Sequence, residues 1–215
     1  MLNGVKHPAV KHLKTLNKIL SYVLLSIVGI VMIAPFIWML STSLKEPGAV
    51  FTYPPKFIPD PLRWKNYADA WNAVPFGRFF VNSIIVSVCV TLGQVFTSSL
   101  AAYAFARLKF FGKDKIFLSY LATMMIPFPV TMIPVFILIT KLRLIDSLYA
   151  LIIPGIFTAY GTFMLRQFFL SIPRELEEAA IIDGAGRWKI YWNIVLPLSK
   201  PALATLATFT FMGTW

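Results

Sequence analysis

Residues 171–197 read SIPRELEEAAIIDGAGRWKIYWNIVLP, and they separate two long apolar stretches of the chain. Ser171 is a candidate N-cap, and Pro173 suits the first turn of a helix. Three glutamates follow in that turn, near the positive end of the helix dipole. Asp183 and Gly184 are predicted to end the helix, because glycine readily adopts the left-handed conformation that follows a helix C-terminus.

A second amphipathic helix is predicted after this bend, from about Arg187 to Leu196, and it is expected to stop at Pro197. The whole segment is polar and carries charge of both signs, whereas the stretches on either side are apolar. The sequence therefore predicts two short helices joined by a sharp bend, placed between two membrane-spanning segments.

Long charge-free stretches surround this segment. The chain is 58% hydrophobic and only 13% charged, where soluble domains carry about 25% charged residues. Four stretches of 26, 28, 25 and 19 residues contain no charge, and about 20 apolar residues suffice for a helix to cross a bilayer. They predict spans at about 19–44, 79–106, 116–140 and 147–170. The predicted fold class is an all-α, polytopic membrane helix bundle.

A fifth apolar stretch covers residues 201–215, where the sequence stops. Fifteen helical residues reach only about 22 Å, which is short of a hydrocarbon core of about 30 Å. The expectation is four complete spans and part of a fifth, with the rest of the fifth missing.

The distribution of positive charge predicts the orientation in the membrane. The net charge is +11, which in a soluble protein would favour nucleic acid as a partner. Here thirteen of the twenty lysines and arginines fall in segments on one side of the predicted spans, and seven fall on the other. Positive residues stay cytoplasmic. Residues 1–18 are therefore predicted to be a basic cytoplasmic leader, before an uncleaved first span.

Cysteine and histidine usage argues against a disulfide framework or a metal site. Cys89 is the sole cysteine and lies within the second predicted span, where we expect a small buried residue. His7 and His12 lie in the leader without a third ligand nearby. No metal or cofactor site is predicted.

The polar stretch 45–75 carries six prolines, which exclude a regular helix over most of its length. Near its end, Trp64, Tyr67, Ala68 and Trp71 recur at helical spacing. A short helix on the outer membrane surface would explain the pattern, because Trp and Tyr favour the interface. Packing against neighbouring spans would explain it equally well.

The second predicted span carries a polar face with two interpretations. Small hydroxyl residues commonly pack one helix against another; alternatively, the face lines a path for a hydrogen-bonding solute. Both interpretations direct the face inward. Its residues and the flanking asparagine are Asn82, Ser83, Ser87, Thr91, Gln94 and Ser98.

The third predicted span contains Pro127, Pro129 and Pro134, which must distort the helix. Distorted backbone at membrane depth is tolerated only inside protein or beside a wet cavity. The four charge-free stretches also lack the carboxylate that proton- or sodium-coupled carriers usually place in a span. That absence argues against a secondary carrier.

The segment from Glu178 to Pro197 resembles the cytoplasmic motif of permease subunits in binding-protein-dependent ABC importers. That motif reads Glu-Ala-Ala, three residues, Gly, nine residues, Ile, one residue, Leu-Pro. The residues here that occupy its positions are Glu178, Ala179, Ala180, Gly184, Ile194, Leu196 and Pro197. Every spacing agrees.

Other stretches resemble the carbohydrate branch of these permeases, particularly the maltose-type second permease. They include Asn66-Tyr67, Asn82-Ser83, the run Ala101–Arg107 and Ile172-Pro173. The resemblance covers essentially the whole chain and implies a type I ABC importer permease fold. Members of the family have six spans.

The resemblance also implies a mechanism and a set of partners. The motif, with Asp183 included, is expected to form a coupling helix that docks on an ATP-binding subunit. The implied partners are a dimer of that subunit, a second permease, an extracytoplasmic solute-binding protein and a small-molecule solute. The chain has no G-x-x-x-x-G-K-[ST] phosphate loop, so it is expected to be no enzyme, and ATP is expected on the partner.

Three functions remain open at this point. An ATP-driven importer of a sugar or oligosaccharide, in the cytoplasmic membrane of a bacterium or archaeon, is the leading hypothesis. The same machinery could carry another solute, such as an amino acid or a phosphorus compound. A secondary carrier or channel acting alone is the third hypothesis.

Overall fold

The computed structural model describes residues 8–215, and side chains from residue 15 onward. Residues 1–7 of the predicted leader, including Lys6 and His7, lie outside the described residues, as do the side chains of residues 8–14, which include His12. Every regular element in the described part is a helix, as predicted. The helices are α1 (Pro8–Ser43), α2 (Lys65–Ala73), α3 (Phe76–Arg107), α4 (Lys113–Ala122), α5 (Phe128–Lys141), α6 (Tyr149–Gly155), α7 (Ala159–Ser171), α8 (Glu175–Ile182), α9 (Arg187–Ile190), α10 (Leu196–Leu198) and α11 (Lys200–Thr214).

A first unit ends at Phe76. Its long helix α1 is apolar enough to cross a membrane from Thr15 to Ser43. The proline-rich loop after α1 is fixed at its start by Asn66, whose Nδ2 donates to the carbonyls of Ser43 at 2.9 Å and Lys45 at 2.7 Å. The Lys45 ammonium lies 4.1 Å from the centre of the Trp38 ring.

The aromatic pattern at 64–71 forms a helix, as predicted, because α2 spans Lys65–Ala73. Trp64, Tyr67 and Trp71 are all exposed on the described chain. The Tyr67 hydroxyl lies 2.7 Å from Ser43 Oγ. One edge of α2 therefore contacts the end of α1, and the Trp71 ring lies 5.1 Å, centroid to centroid, from the Phe76 ring.

A second unit contains residues 77–215. Its longest helix, α3, is also long and apolar enough to span a membrane. Its buried face contains Val86, Val90 and Ala102, whereas Cys89 is exposed. The expectation of a buried Cys89 was therefore wrong, because this residue points away from the face that packs against the rest of the unit.

Prolines divide two of the predicted spans. The third consists of α4, a 3₁₀ turn at Thr123–Met125 and α5, with a bend of 100° at the break. Pro127 is extended, with φ −62° and ψ 140°, and it directly precedes α5. The fourth is divided into α6 and α7 by residues 156–158, immediately after Pro154 and Gly155. The exact span boundaries remain predictions from the charge-free stretches.

The structure corrects three details of the segment 171–197. Ser171 is the last residue of α7 rather than an N-cap, and Arg174 occupies the N-cap position of α8. Pro173 therefore lies before α8 and not in its first turn. The second helix does not stop at Pro197: a π-helical turn at Tyr191–Val195 leads into α10, which includes this proline. Pro197 has no N–H to donate, and the wider π turn is a usual way to fit such an irregularity into a helix.

Candidate coupling segment

Helix α8 begins with the acidic turn that the sequence predicts, containing Glu175, Glu177 and Glu178. It ends in a Schellman motif. Gly184 has φ +77° and donates its N–H to the carbonyl of Ile181 at 3.0 Å. Ala185 donates to the carbonyl of Ala180 at 2.8 Å. These two bonds satisfy carbonyls that a helix end otherwise leaves without a partner, so the predicted bend at Gly184 is confirmed.

The helical stretch after the bend, residues 187–198, is called the second stretch, and α3 holds it in place. Tyr191, in the π turn, is 1% exposed, and its hydroxyl lies 2.7 Å from Ser99 Oγ. Tyr103 donates its hydroxyl to the carbonyl of Arg187 at 3.2 Å. The two tyrosine rings also contact each other, with centroids 5.2 Å apart. Two side chains one turn apart on α3 thus contact the start and the middle of the second stretch.

Arg107, the last residue of α3, holds α8 and the end of α7. Its Nη2 donates to the carbonyls of Phe169 at 2.5 Å and Ile172 at 2.6 Å, where α7 ends. Its Nε lies 2.9 Å from Oε1 of Glu177 on α8. The geometry of this last contact is that of an ion pair rather than an aligned hydrogen bond. The guanidinium therefore joins the end of α3 to the end of α7 and to α8.

A hydrophobic core lies directly beneath the segment. Its buried side chains come from α3, α7, the second stretch and α11, so four parts of the chain share one core. They are Ala102, Tyr103, Ala106, Leu165, Phe169, Ile172, Ile190, Tyr191, Val195 and Leu206. Ala180, Ala185, Ile194 and Leu196 pack against this core from the segment itself. Displacement of the segment would therefore disturb the packing of α3 and α7.

The opposite side of the segment is exposed. Glu178, Ala179, Asp183 and Pro197 are all exposed on the described chain, and Ile182 is 86% exposed. A groove of about 170 Å³ lies between α8 and the second stretch, and Ala180, Asp183 and Ile194 line it together with Ala185, Lys189, Ile190 and Asn193. The predicted motif residues thus divide into a half-buried set (Ala180, Ile194 and Leu196) and an exposed set. Their role in contacting an ATP-binding subunit remains a prediction.

The polar face of α3 packs mainly against other helices of the second unit. Ser87, Thr91 and Ser98 are buried, Asn82 is half-buried and Ser83 is exposed. Gln94 is engaged at both ends: its Nε2 donates to the carbonyl of Gly155 at 2.7 Å, and its Oε1 accepts from Thr210 at 2.8 Å. This arrangement supports the packing interpretation for Gln94. A solute path stays a prediction for the rest of the face.

The same face explains how a broken helix is accommodated between α6 and α7. Thr97 donates its hydroxyl to the carbonyl of Ile156 at 2.6 Å, next to the bond from Gln94 to Gly155. A break in a helix leaves carbonyls without intrahelical partners, and in a membrane these must be satisfied by protein or water. Gln94 and Thr97 supply the two donors.

We expect Gln94→Leu to destabilise the second unit by about 1–3 kcal/mol, because it leaves the half-buried Gly155 carbonyl without its donor. Thermal unfolding of the purified protein in detergent measures the effect. Gln167→Leu is the matched control, because Gln167 lies exposed on α7 and should change little. Equal melting temperatures for the two variants would contradict the proposed role of Gln94.

Comparison with known proteins identifies the family. Residues 94–215 match the family described as binding-protein-dependent transport system inner membrane component. The chain belongs to this family. The matched region begins at Gln94 and includes the whole coupling segment, which confirms the family that the motif predicted. Family membership also makes the chain a multi-pass component of a bacterial inner membrane.

Individual relatives of the same family are similar over most of the chain. It is 33% identical over 198 residues to the diacetylchitobiose uptake system permease protein NgcG of Streptomyces coelicolor, covering 91% of this chain and 65% of NgcG. It is 37% identical to the sn-glycerol-3-phosphate transport system permease protein UgpE of Yersinia pestis, covering 88% and 70%. It is 35% identical to the inner membrane ABC transporter permease protein YcjP of Escherichia coli, covering 94% and 74%.

A solved structure agrees with the fold. The chain matches the crystal structure of a bacterial ABC transporter involved in the import of the acidic polysaccharide alginate, with a TM-score of 0.81 and 27% sequence identity. The match covers 94% of this chain and 71% of the chain in that structure. The predicted all-α permease bundle is confirmed, and the chain spans roughly two thirds to three quarters of the length of these similar proteins.

Proposed function

We propose that this protein is the permease subunit of an ATP-driven importer and that residues 178–197 couple it to an ATP-binding subunit. The observation that carries the proposal is the division of the segment into two sides. One side packs on the core shared by α3, α7 and α11, and the other is exposed around the groove beside Asp183. A segment built in this way transmits movement from an external partner to the membrane helices.

The solute is proposed to be a sugar or oligosaccharide. Three of the similar proteins named above are described as handling diacetylchitobiose, sn-glycerol 3-phosphate and alginate, all of which are rich in hydroxyl or other polar oxygen groups. Apart from Gln94, the polar face of α3 contains hydroxyl residues and one asparagine, and it contains no charge. Uncharged donors and acceptors suit a neutral hydroxylated solute.

A phosphorylated small solute is the second candidate, because the similarity to UgpE reaches 37% identity. Such a solute carries negative charge, and its binding would need a positive group or helix N-termini. Competition between the two solute types during uptake would distinguish the candidates.

The partners follow from the proposed function. A dimer of ATP-binding subunits would dock on the exposed side of residues 178–197, and a second permease would complete the path. A solute-binding protein would deliver the solute on the opposite side. The excess of positive charge on the side of the coupling segment supports a cytoplasmic N-terminus.

Uptake into proteoliposomes tests the proposal. The full-length protein, its partner permease, its ATP-binding subunits and its binding protein are reconstituted together, and labelled diacetylchitobiose and sn-glycerol 3-phosphate are offered as probes. We expect uptake that requires enclosed ATP and stops when the phosphate-loop lysine of the ATP-binding subunit is changed to alanine. Uptake by the permeases alone, without ATP-binding subunits, would support a secondary carrier and overturn the proposal.

A further inference from the structure

Three side chains at the end of α3 contact the coupling segment or the residues that lead into it. Ser99, Tyr103 and Arg107 follow one another at intervals of four, so they form one stripe along the helix. Ser99 contacts Tyr191, Tyr103 contacts Arg187, and Arg107 contacts Glu177. In the sequence these contacts join residues 70 to 92 positions apart. The coupling segment is therefore held by a helix that is distant from it in the chain.

The contact made by Arg107 differs in kind from the other two. Its side chain is 2% exposed, and the side chain of Glu177 is 14% exposed. Burying a pair of charges removes both from water at a cost of several kcal/mol, so such a pair is weak evidence for stability. Its best attested use is to fix one arrangement of the elements that it joins. Arginine suits this use, because its planar group holds several acceptors at once in a fixed geometry.

We propose that Arg107 is a positioning residue that locks α8 to the end of α3, so that movement of α8 reaches α3 directly. The inference rests on the proposed function, since it concerns how movement of the ATP-binding subunits is transmitted to the membrane helices. Without the lock, α8 would be linked to the rest of the unit through residues 172–174, through the bend at Gly184 and through the packing of Ala180 on the core. With it, α3 and α7 move together with α8.

The position of α3 gives this coupling a further consequence. Thirteen residues before Arg107, Gln94 on the same helix bonds to the break between α6 and α7 and to Thr210 on α11. A displacement at the cytoplasmic end of α3 therefore bears on the polar face of the helix and on the broken helix beside it. Arg107 therefore connects the coupling segment to that face through α3.

Glu177→Gln tests the lock with the smallest change in shape. It removes one charge of the ion pair and leaves the bonds from Arg107 to the carbonyls of Phe169 and Ile172 in place. In the reconstituted complex we expect assembly and ATP hydrolysis to be retained, whereas solute taken up per ATP hydrolysed falls by about fivefold or more, the lower range of coupling between two sites. Glu175→Gln is the matched control, because Glu175 carries the same charge on the exposed side of α8.

Arg107→Lys provides the second variant. It keeps the positive charge and loses the planar group, so uptake per ATP should fall to a value between those of Glu177→Gln and the unchanged protein. Arg166→Lys is its control: the Arg166 guanidinium donates to the carbonyl of Phe105 on α3 at 3.2 Å and lies over the Phe117 ring on α4. It should keep the ratio of the unchanged protein.

The outcomes separate this inference from the proposed function. If the unchanged complex shows no ATP-dependent uptake, the proposed function fails. If it does, and Glu177→Gln keeps the normal ratio of uptake to ATP hydrolysis, the lock alone is refuted. A parallel loss of assembly, ATP hydrolysis and uptake in Glu177→Gln would also overturn it, because the pair would then only hold the fold together.

Discussion

Gly184→Val should reduce ATP-linked uptake by tenfold or more while the protein still inserts into the membrane. Gly184 has φ +77°, a conformation that costs a β-branched residue about 1–3 kcal/mol, and 1.4 kcal/mol corresponds to a factor of ten. No side chain or backbone atom lies within 4 Å of an added Cβ, so the cost arises in the backbone alone. Loss of the left-handed turn would redirect α8 relative to the second stretch of the coupling segment.

Gly186→Val is the control for this prediction, because the same substitution is made two residues away. Gly186 has φ −71° and ψ 163°, values that valine adopts readily, and an added Cβ would also meet nothing within 4 Å. Gly184→Asn is a second control, since asparagine tolerates the left-handed region. Uptake, ATP hydrolysis and membrane content are measured for all three variants.

We expect Gly186→Val to transport close to normally, Gly184→Asn to keep much of its uptake and Gly184→Val to lose nearly all of it. Normal uptake by Gly184→Val would show that the bend does not position α8 for its partner. Equal loss in both valine variants would indicate that any bulk on this surface blocks docking, and the conformation of Gly184 would then not be the cause.

Local chemistry in the sequence was enough to predict the features that depend on it. Charge-free stretches predicted an all-helical membrane bundle, and the Asp183-Gly184 pair predicted the end of α8. The placement of Ser171 as an N-cap was wrong, because α7 continues through it and α8 begins later, after Arg174. The sequence Ser171-Ile172-Pro173 is compatible with Ser171 ending one helix or preceding the next. Only the packing of α7 decides between these two positions.

The contacts of Arg107 could not be predicted from local chemistry. Arg107 looked like one of thirteen cytoplasmic charges that set the orientation, and its role as a buried guanidinium depends on where α7 ends. A signal was nevertheless present, since Ser99, Tyr103 and Arg107 repeat at intervals of four. Periodicity identifies such a stripe as one face of a helix but cannot identify the segment that it contacts.

The contacts of the polar face of α3 were also only partly predictable from the sequence. Its spacing predicted a shared face, and burial of Ser87, Thr91 and Ser98 agrees with this prediction. The use of Gln94 to satisfy the carbonyl of Gly155 depends on a break in another helix, 61 residues later in the chain. Prolines in the sequence predict such breaks. Tertiary packing determines which side chains donate to the carbonyls that a break leaves without a partner.

Gly93→Ala should destabilise the second unit by about 1–3 kcal/mol, the usual cost of overpacking a well-filled core. A Cβ added at Gly93 would lie 2.4 Å from Cγ2 and 2.8 Å from Cβ of Ile156, in the break between α6 and α7. Relief of this overlap requires α3 to move away from the break, which would weaken the bonds from Gln94 to Gly155 and from Thr97 to Ile156.

The control for this prediction is Gly29→Ala in the interior of α1, where an added Cβ meets nothing within 4 Å. There the substitution should be neutral or stabilise by up to about 1 kcal/mol, since alanine favours a helix over glycine. Thermal unfolding in detergent is measured for both variants. The double variant Gly93→Ala/Ile156→Ala removes the atom that lies nearest and should recover part of the lost stability relative to the sum of its single variants. Strict additivity of the two changes would mean that the overlap with Ile156 is not the cause, and that α3 and the broken helix are not held as closely as these contacts require.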